Sequence, residues 1–150
     1  MLGIEIRNII EAKFPELVPY FEGIFAFDEC PSSLKEGHFA VINRSSSEDE
    51  GTHWFLLMKN CGIIEMFDSL GLSDDDRWTS VKVKGPLQFN RSRVQSPSSS
   101  ACGGFVTFFA CFRNHNLDMT FEEALNECFS SDLSANEEKV KRFLKSWELE

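Results

Sequence analysis

Two apolar runs separated by a short turn constrain the fold of this chain more than any other feature of its sequence. Trp54–Met58 and Ile63–Phe67 have the length and the apolar character of buried strands. The residues between them include Asn60-Cys61-Gly62, a sequence suited to a tight turn. The two runs therefore predict a β-hairpin that is buried inside a sheet.

The length of that turn decides which residues face each other. If Asn60-Cys61 forms a two-residue turn, the pairing places His53 opposite Asp68. A three-residue turn places His53 opposite Ser69 instead. In either register, His53 and Asp68 lie side by side at the open end of the hairpin.

Further elements surround the hairpin within a single predicted domain, 1–150. Apolar runs predict strands at Phe39–Ile42 and Leu87–Phe89. Helical spacing or capping signals predict helices within Glu5–Tyr20 (interrupted by Pro15 and Pro19), from near Cys102 through Phe112, from Thr120 through Phe129, and over Ser134–Trp147. Ser45–Gly51 is a polar loop by composition, and Ser73–Arg77 is either a loop or a short helix.

The cysteines suggest one reactive thiol rather than a metal site or a disulfide framework. There are five of them, an odd number, and no pair has CxxC spacing. Cys102 differs from the others because it follows the small residues Ser98–Ala101 and stands at a predicted helix N-terminus. The helix macrodipole there favours a thiolate.

A thiol nucleophile needs a base, an oxyanion donor and, usefully, a carboxylate that orients the base. Gln95 precedes Cys102 by seven residues at the end of the predicted strand, so its amide can act as a donor beside the backbone N–H of Cys102. Taken singly, a histidine, an aspartate or a buried cysteine usually has a structural role. The joint placement of His53, Asp68, Gln95 and Cys102 is what indicates chemistry.

With these residues in place, the chain resembles the adenovirus maturation protease (adenain) family, including its relatives from Polinton/Maverick elements and adintoviruses. It is more distantly similar to SUMO- and ubiquitin-like-protein proteases. The strongest match is Val94-Gln-Ser-Pro-Ser-Ser-Ser-Ala-Cys-Gly103, with the family's seven-residue step from glutamine to nucleophile. Gly51-Thr-His-Trp54, Pro19–Gly23 and Phe39–Asn43 also match, and weaker similarity reaches the last predicted helix.

The resemblance implies an α+β cysteine-peptidase fold, with a central, mainly antiparallel sheet flanked by helices and the nucleophile at a helix N-terminus. It implies that Cys102 is the nucleophile, His53 the base, Asp68 the orienting carboxylate and Gln95 the oxyanion-hole donor. Trp54 would line the substrate cleft. The implied activity is a cysteine endopeptidase that cleaves at glycine-containing sites in viral or transposon-encoded capsid precursors.

Cofactors and partners follow partly from the resemblance and partly from charge. Lys84 stands where adenovirus enzymes have the cysteine that bonds an activating peptide, so we expect no required cofactor or metal, and any peptide activator to bind non-covalently. A net charge of −9 predicts little DNA binding, although Lys82–Arg93 forms a small basic run. We expect a monomer that acts on protein or peptide substrates, without a membrane span.

Location is predicted from the N-terminus, where acidic and basic residues among apolar ones are unlike a signal peptide. This predicts an intracellular protein, in the host nucleus or cytoplasm and in the virion, that is not secreted.

Three other functions remain as alternatives. A protease that removes ubiquitin-like modifiers fits Asp68-Ser-Leu-Gly71 and the spacing of Gln95 and Cys102, although the short chain and its adenain-like ends favour capsid processing. An acetyltransferase with the same triad would need a basic phosphate pocket, which the sequence does not indicate. A non-catalytic binding module is disfavoured because every catalytic position is retained.

Overall fold

The structure, a computed structural model, describes residues 3–43, 53–71, 83–96 and 102–148. The predicted loop at 45–51, the segment 73–77, the small residues 98–101 and Lys82 of the basic run lie outside the described residues.

The described residues form an α+β fold with one five-stranded sheet. The helices are α1 (Gly3–Lys13), α2 (Cys102–Asn114), α3 (Phe121–Cys128) and α4 (Leu133–Glu148). The strands are β1 (Phe21–Ala26), β2 (Phe39–Asn43), β3 (Trp54–Asn60), β4 (Ile63–Phe67) and β5 (Leu87–Phe89), and short 3₁₀ turns occupy Pro15–Tyr20 and Phe27–Glu29.

The helix ends follow local sequence signals. Pro15 ends the α-helical spacing of the N-terminal segment, because a proline lacks the N–H that would continue it, and a 3₁₀ turn begins there. The capping box predicted at Thr120 is confirmed: its hydroxyl accepts from the amide N–H of Glu123, whose carboxylate accepts from the amide N–H of Thr120. The predicted helices at Thr120–Phe129 and Ser134–Trp147 are therefore present as α3 and α4.

The sheet is mixed rather than mainly antiparallel. Its strand order is β1-β2-β3-β4-β5. The two inner pairings, β2 with β3 and β3 with β4, are antiparallel, whereas the outer strands β1 and β5 pair in parallel with their neighbours. The predicted hairpin is therefore the centre of the sheet, and its two strands are flanked on both sides.

The hairpin turn differs from both predicted registers. Its two turn residues are Cys61 and Gly62, with φ of 52° and 78°, and Asn60 pairs with Ile63. Positive φ at both positions is the geometry of a type I′ hairpin turn. The shift makes His53 a diagonal rather than a direct neighbour of Asp68, because the next pair after Leu56 with Phe67 would join Phe55 to Asp68.

The strands alternate between two apolar layers, as period-two side-chain geometry requires. The helices cover one face of the sheet. There α2, most of whose residues are buried, packs against β3 and also contacts α1, α3 and α4. The other face is covered by side chains from segments around Leu34 and Phe89. This layering fixes the start of α2 against the central strand. No helix in the described part of the chain has the length and apolar character to cross a membrane.

Candidate active site

His53 and Asp68 form a buried ion pair at the open end of the hairpin. Nε2 of His53 lies 2.7 Å from Oδ1 of Asp68, and the two side chains are 10% and 1% exposed. A carboxylate accepts hydrogen bonds only, so Nε2 carries the proton that it donates to Asp68. Nδ1 is then the ring nitrogen left to face another partner.

That other partner is the thiol of Cys102, with which the His53 side chain is hydrogen bonded. Cys102 is the first residue of α2 and is 5% exposed. The backbone N–H groups of Trp54 and Gly103 also point at its sulfur. The site thus combines a thiol, an imidazole and a carboxylate with the positive end of a buried helix.

The electrostatics favour the charged forms of both the thiol and the imidazole. Burial alone would lower the pKa of His53, but its hydrogen bonds to Asp68 and Cys102, and the negative charges of both, raise that pKa to about 9. Burial alone would raise the pKa of the Cys102 thiol, but the hydrogen bond from His53 and the N–H groups of Trp54 and Gly103 hold it below its ordinary value. Below a pH of about 9, these shifts favour a thiolate–imidazolium pair over a neutral thiol and imidazole.

A tight turn, Asp68–Gly71, holds the carboxylate in place. Oδ1 of Asp68 accepts a hydrogen bond from the N–H of Leu70 at 2.9 Å, and the N–H of Gly71 donates to the carbonyl of Asp68. Gly71 has φ of 79°, and a Cβ there would come within 2.9 Å of the backbone nitrogen of Arg93. Only glycine fits this turn against the neighbouring segment without strain.

Asn90 fixes the backbone of the same aspartate from the strand side. Its Oδ1 accepts from the N–H of Asp68 at 2.9 Å, and its Nδ2 donates to the carbonyl of Asp68 at 2.6 Å. Asn90 is only 4% exposed, so water competes little for these bonds. The amide clamp leaves the Asp68 carboxylate directed at His53.

Gln95 lies beside the Asp68–Gly71 turn, in the segment after β5 and not in a strand as predicted. It is 1% exposed, and its Oε1 accepts a hydrogen bond from the hydroxyl of Ser69. Since Ser69 directly follows Asp68, the turn brings Gln95 next to the Asp68–His53–Cys102 chain of contacts. The four residues predicted from the sequence thus converge on one region.

Trp54 is placed less simply than expected. It follows His53 and is 7% exposed, with its indole in the helix-side core. The end of the ring lies against Gly3, where a Cβ would come within 3.2 Å. Its backbone N–H contacts the Cys102 sulfur, and its part in a substrate cleft stays a prediction.

Gly104 lies in the first turn of α2 and faces α4. In the structure, a Cβ at Gly104 would lie 2.8 Å from Leu144 and 3.1 Å from Val140, both on α4. Gly104 therefore permits the close approach of α4 to the first turn of α2, two residues after Cys102.

Ser69 and Asn90 are the residues of this region that the sequence did not single out. Ser69 entered only as a possible partner of His53 in one hairpin register. Both are polar residues that follow apolar strands, β4 and β5, and such residues are often exposed. Their burial, at 0% for Ser69 and 4% for Asn90, depends on contacts across more than 20 residues of chain.

The thiolate should be detectable by alkylation across a range of pH. At pH 6 to 7 we expect iodoacetamide to modify Cys102 before the other cysteines, because the pKa of its thiol is lowered while burial raises those of Cys30, Cys111 and Cys128 to about 11, 12 and 12. Peptide mass spectrometry after brief labelling measures the order of modification.

The control variants isolate the cause of this selectivity. Cys61 is exposed, so Cys61→Ser removes the accessible competitor. In His53→Ala, the onset of Cys102 labelling should move up towards the pH of an ordinary thiol, about 8.5. If the pH at which Cys102 labelling begins is the same with and without His53, this would contradict a thiolate–imidazolium pair between Cys102 and His53.

Comparison of the chain with models of known protein families gives no match. Comparison with curated protein sequences likewise gives no match.

Proposed function

We propose that this chain is a cysteine endopeptidase with an adenain-like cysteine-peptidase fold. The observation that carries the proposal is the continuous contact from Asp68 through His53 to Cys102, at the N-terminus of a buried helix, with the pKa of the thiol lowered. A buried structural cysteine has no need of such partners, and its thiol pKa rises, as at Cys111. The sequence resemblance to the adenain family supports the same conclusion.

The proposed reaction has two stages. The Cys102 thiolate attacks the carbonyl carbon of the scissile amide, and the imidazolium of His53 gives its Nδ1 proton to the departing amine as the C–N bond breaks. The product is a thioester on Cys102. His53, now neutral, takes a proton from water as that water attacks the thioester, which releases the acid and restores the thiolate–imidazolium pair.

Two groups stabilise the charge that develops in this proposal. The tetrahedral oxyanion binds the side-chain amide of Gln95 and the backbone N–H of Cys102. Asp68 accepts from Nε2 throughout and keeps the imidazole ring turned towards the thiol. The Asn90 clamp and the Leu70 N–H serve that orientation by fixing the carboxylate.

The proposed biological role is the processing of viral or transposon-encoded capsid precursors, on the strength of the resemblance. A second role, removal of ubiquitin-like modifiers, is favoured by one observation. The orienting carboxylate is an aspartate followed by serine, as in the SUMO-protease branch, whereas adenovirus enzymes carry a glutamate at this position. Any peptide activator binds without a disulfide, since an exposed Lys84 occupies the adenovirus cysteine position.

A peptide library tests the activity and its specificity together. We expect cleavage after Gly-Gly or Gly-X, with a larger apolar residue further upstream. Replacing the glycine on the acyl side by alanine should lower kcat/KM about 5- to 150-fold, since an added methyl in a tight site costs about 1–3 kcal/mol. Mass spectrometry of the digest identifies the cleaved bond.

The same assay separates the two roles. Linear SUMO and ubiquitin fusions are compared with glycine-containing peptides, and Cys102→Ser protein from the same purification controls for contaminating proteases. Rapid cleavage of the fusions alone would favour the modifier protease. A library in which no peptide or fusion is cut would overturn the proposed function, and a profile without glycine preference would overturn its substrate class.

A further inference from the structure

The hydroxyl of Ser69 has a contact whose purpose the triad does not explain. Ser69 is fully buried between Asp68 and Leu70, and its Oγ donates to Oε1 of Gln95, a residue 26 positions later in the chain. A buried hydroxyl is costly unless it is paired. Here its partner is the residue that the proposed function assigns to the oxyanion.

The backbone around Gln95 is already fixed without that hydroxyl. The carbonyl of Ser69 accepts from the N–H groups of Val94 and Gln95 at 2.8 and 2.9 Å. Asn136, 2% exposed on α4, donates from Nδ2 to the carbonyl of Val94 at 3.0 Å. The Ser69 hydroxyl therefore acts on the side chain of Gln95, because other hydrogen bonds already hold the main chain.

The side-chain bond is made with one of two amide orientations, since the Ser69 hydroxyl donates to Oε1 of Gln95. A glutamine amide presents an acceptor and a donor on opposite sides of the same carbon, and rotation by 180° exchanges them. Since Ser69 donates to Oε1, Nε2 is directed away from Ser69. With the opposite orientation, a carbonyl oxygen would face the oxyanion and repel it.

We propose that Ser69 is a positioning residue that holds the Gln95 amide with its N–H groups towards the oxyanion. This inference rests on the proposed function for the chemistry, but the orientation itself is a property of the resting protein. The Asp68–Gly71 turn then sets two groups at once: the carboxylate of Asp68 that orients His53, and the hydroxyl of Ser69 that orients Gln95.

A double-mutant cycle tests the coupling. Gln95→Ala should lower kcat about 10²–10³-fold, the usual effect of losing one oxyanion donor. Ser69→Ala should lower kcat about tenfold with little change in KM, because the donor is present but no longer held. In the Gln95→Ala background, Ser69→Ala should have almost no further effect.

Asn90→Ala is the matched comparison, because Asn90 holds the same turn through the backbone N–H and carbonyl of Asp68. Asn90→Ala should shift the pH profile of Cys102 alkylation, which depends on His53 and Asp68 and needs no oxyanion donor. Ser69→Ala should keep the wild-type profile. If Ser69→Ala shifts that profile as Asn90→Ala does, or lowers kcat equally with and without Gln95, the hydroxyl serves only to hold the turn and the proposal is wrong.

A measurement that does not depend on hydrolysis separates the positioning role of Ser69 from the proposed peptidase function. The side-chain NH₂ of Gln95, assigned by its loss in Gln95→Ala, should be rigid by ¹⁵N relaxation in the wild type and become mobile in Ser69→Ala. Unchanged relaxation would overturn the positioning role even if the enzyme cleaves peptides. Absence of hydrolysis in the wild type, with the expected loss of rigidity in Ser69→Ala, would overturn the proposed function and leave the orienting contact established.

Discussion

Cys102→Ala and His53→Ala should each lower peptide hydrolysis by about 10⁴-fold or more. Alanine at position 102 removes the sulfur that forms the thioester in the proposed reaction. Alanine at position 53 removes both the proposed proton donor and the charge that lowers the thiol pKa. Asp68→Asn should leave more residual activity, because the site keeps its thiol and its histidine and loses only the charge that orients His53 and raises its pKa. Initial rates on a glycine-containing peptide measure all three.

Cys111→Ala is the matched control for the nucleophile. Cys111 lies on the same helix, α2, and is 5% exposed, as Cys102 is. Burial raises the pKa of its thiol to about 12, so it has no thiolate at neutral pH. Cys111→Ala should retain the wild-type rate, and circular dichroism should show the same fold in each variant. Full activity in Cys102→Ala would overturn the assignment of the nucleophile.

If His53→Ala fails to fold, His53→Gln gives the same test with a smaller perturbation. Glutamine fills most of the imidazole volume and can still donate to Asp68, but it cannot carry the proton. Hydrolysis by folded His53→Gln protein at the wild-type rate would contradict the proposed role of His53.

The elements that the sequence predicts well are those with strong local signals. The capping box at Thr120 and the amphipathic pattern of α4 need only a few neighbouring residues to be recognised. The hairpin of β3 and β4 was likewise expected from two apolar runs. The predicted register of this hairpin was wrong because Cys61 adopts a positive φ. A non-glycine residue rarely takes such a φ, and the local sequence does not reveal it.

Features that depend on distant parts of the chain were missed. β1 contains Gly23 at φ of 130° and pairs irregularly with β2, so its six residues show no clean alternation of buried and exposed positions. β1 pairs in parallel with β2, and β5 pairs in parallel with β4. The direction of each pairing is set by how the chain crosses the sheet and not by strand composition. The expectation of a mainly antiparallel sheet therefore holds only for the inner pairings.

The site shows the same division. His53 and Asp68 could be brought together from hairpin geometry, because only 15 residues separate them. Which residue lies directly opposite each of them could not be predicted, because a one-residue shift of the turn changes every cross-strand pair. Ser69 and Gln95, and Asn90 and Asp68, meet across more than 20 residues, and no local pattern specifies those hydrogen bonds.

A second large effect is expected far from the thiol, at the other end of α2. Arg113 is fully buried, and its Nε and Nη2 donate to the two carboxylate oxygens of Glu65 on β4 at 2.8 and 2.7 Å. Its Nη1 donates to the carbonyls of Asn116 and Met119 at 2.8 and 2.9 Å. This one side chain therefore joins helix, sheet and the loop that leads to α3.

Arg113→Met should lower the free energy of unfolding by about 3–5 kcal/mol, because it leaves the Glu65 carboxylate buried without its partner. Urea unfolding followed by circular dichroism measures the loss. Arg113→Met combined with Glu65→Leu should recover much of it, since the unpaired charge is gone. Arg142→Met is the exposed counterpart: Arg142 and Glu138 are 79% and 60% exposed, and their pairing should contribute little.

The Arg113 variants also distinguish support of the fold from support of the chemistry. Eleven residues of α-helix separate Arg113 from Cys102, about 16 Å along the axis, beyond the reach of hydrogen bonding to the thiol. Folded Arg113→Met protein should therefore keep the wild-type pH profile of Cys102 alkylation, even though less urea unfolds it. A loss below about 1 kcal/mol would show that the ion pair does not hold α2 to the sheet. A shifted alkylation profile at wild-type stability would instead mean that Arg113 acts on the thiol through the helix.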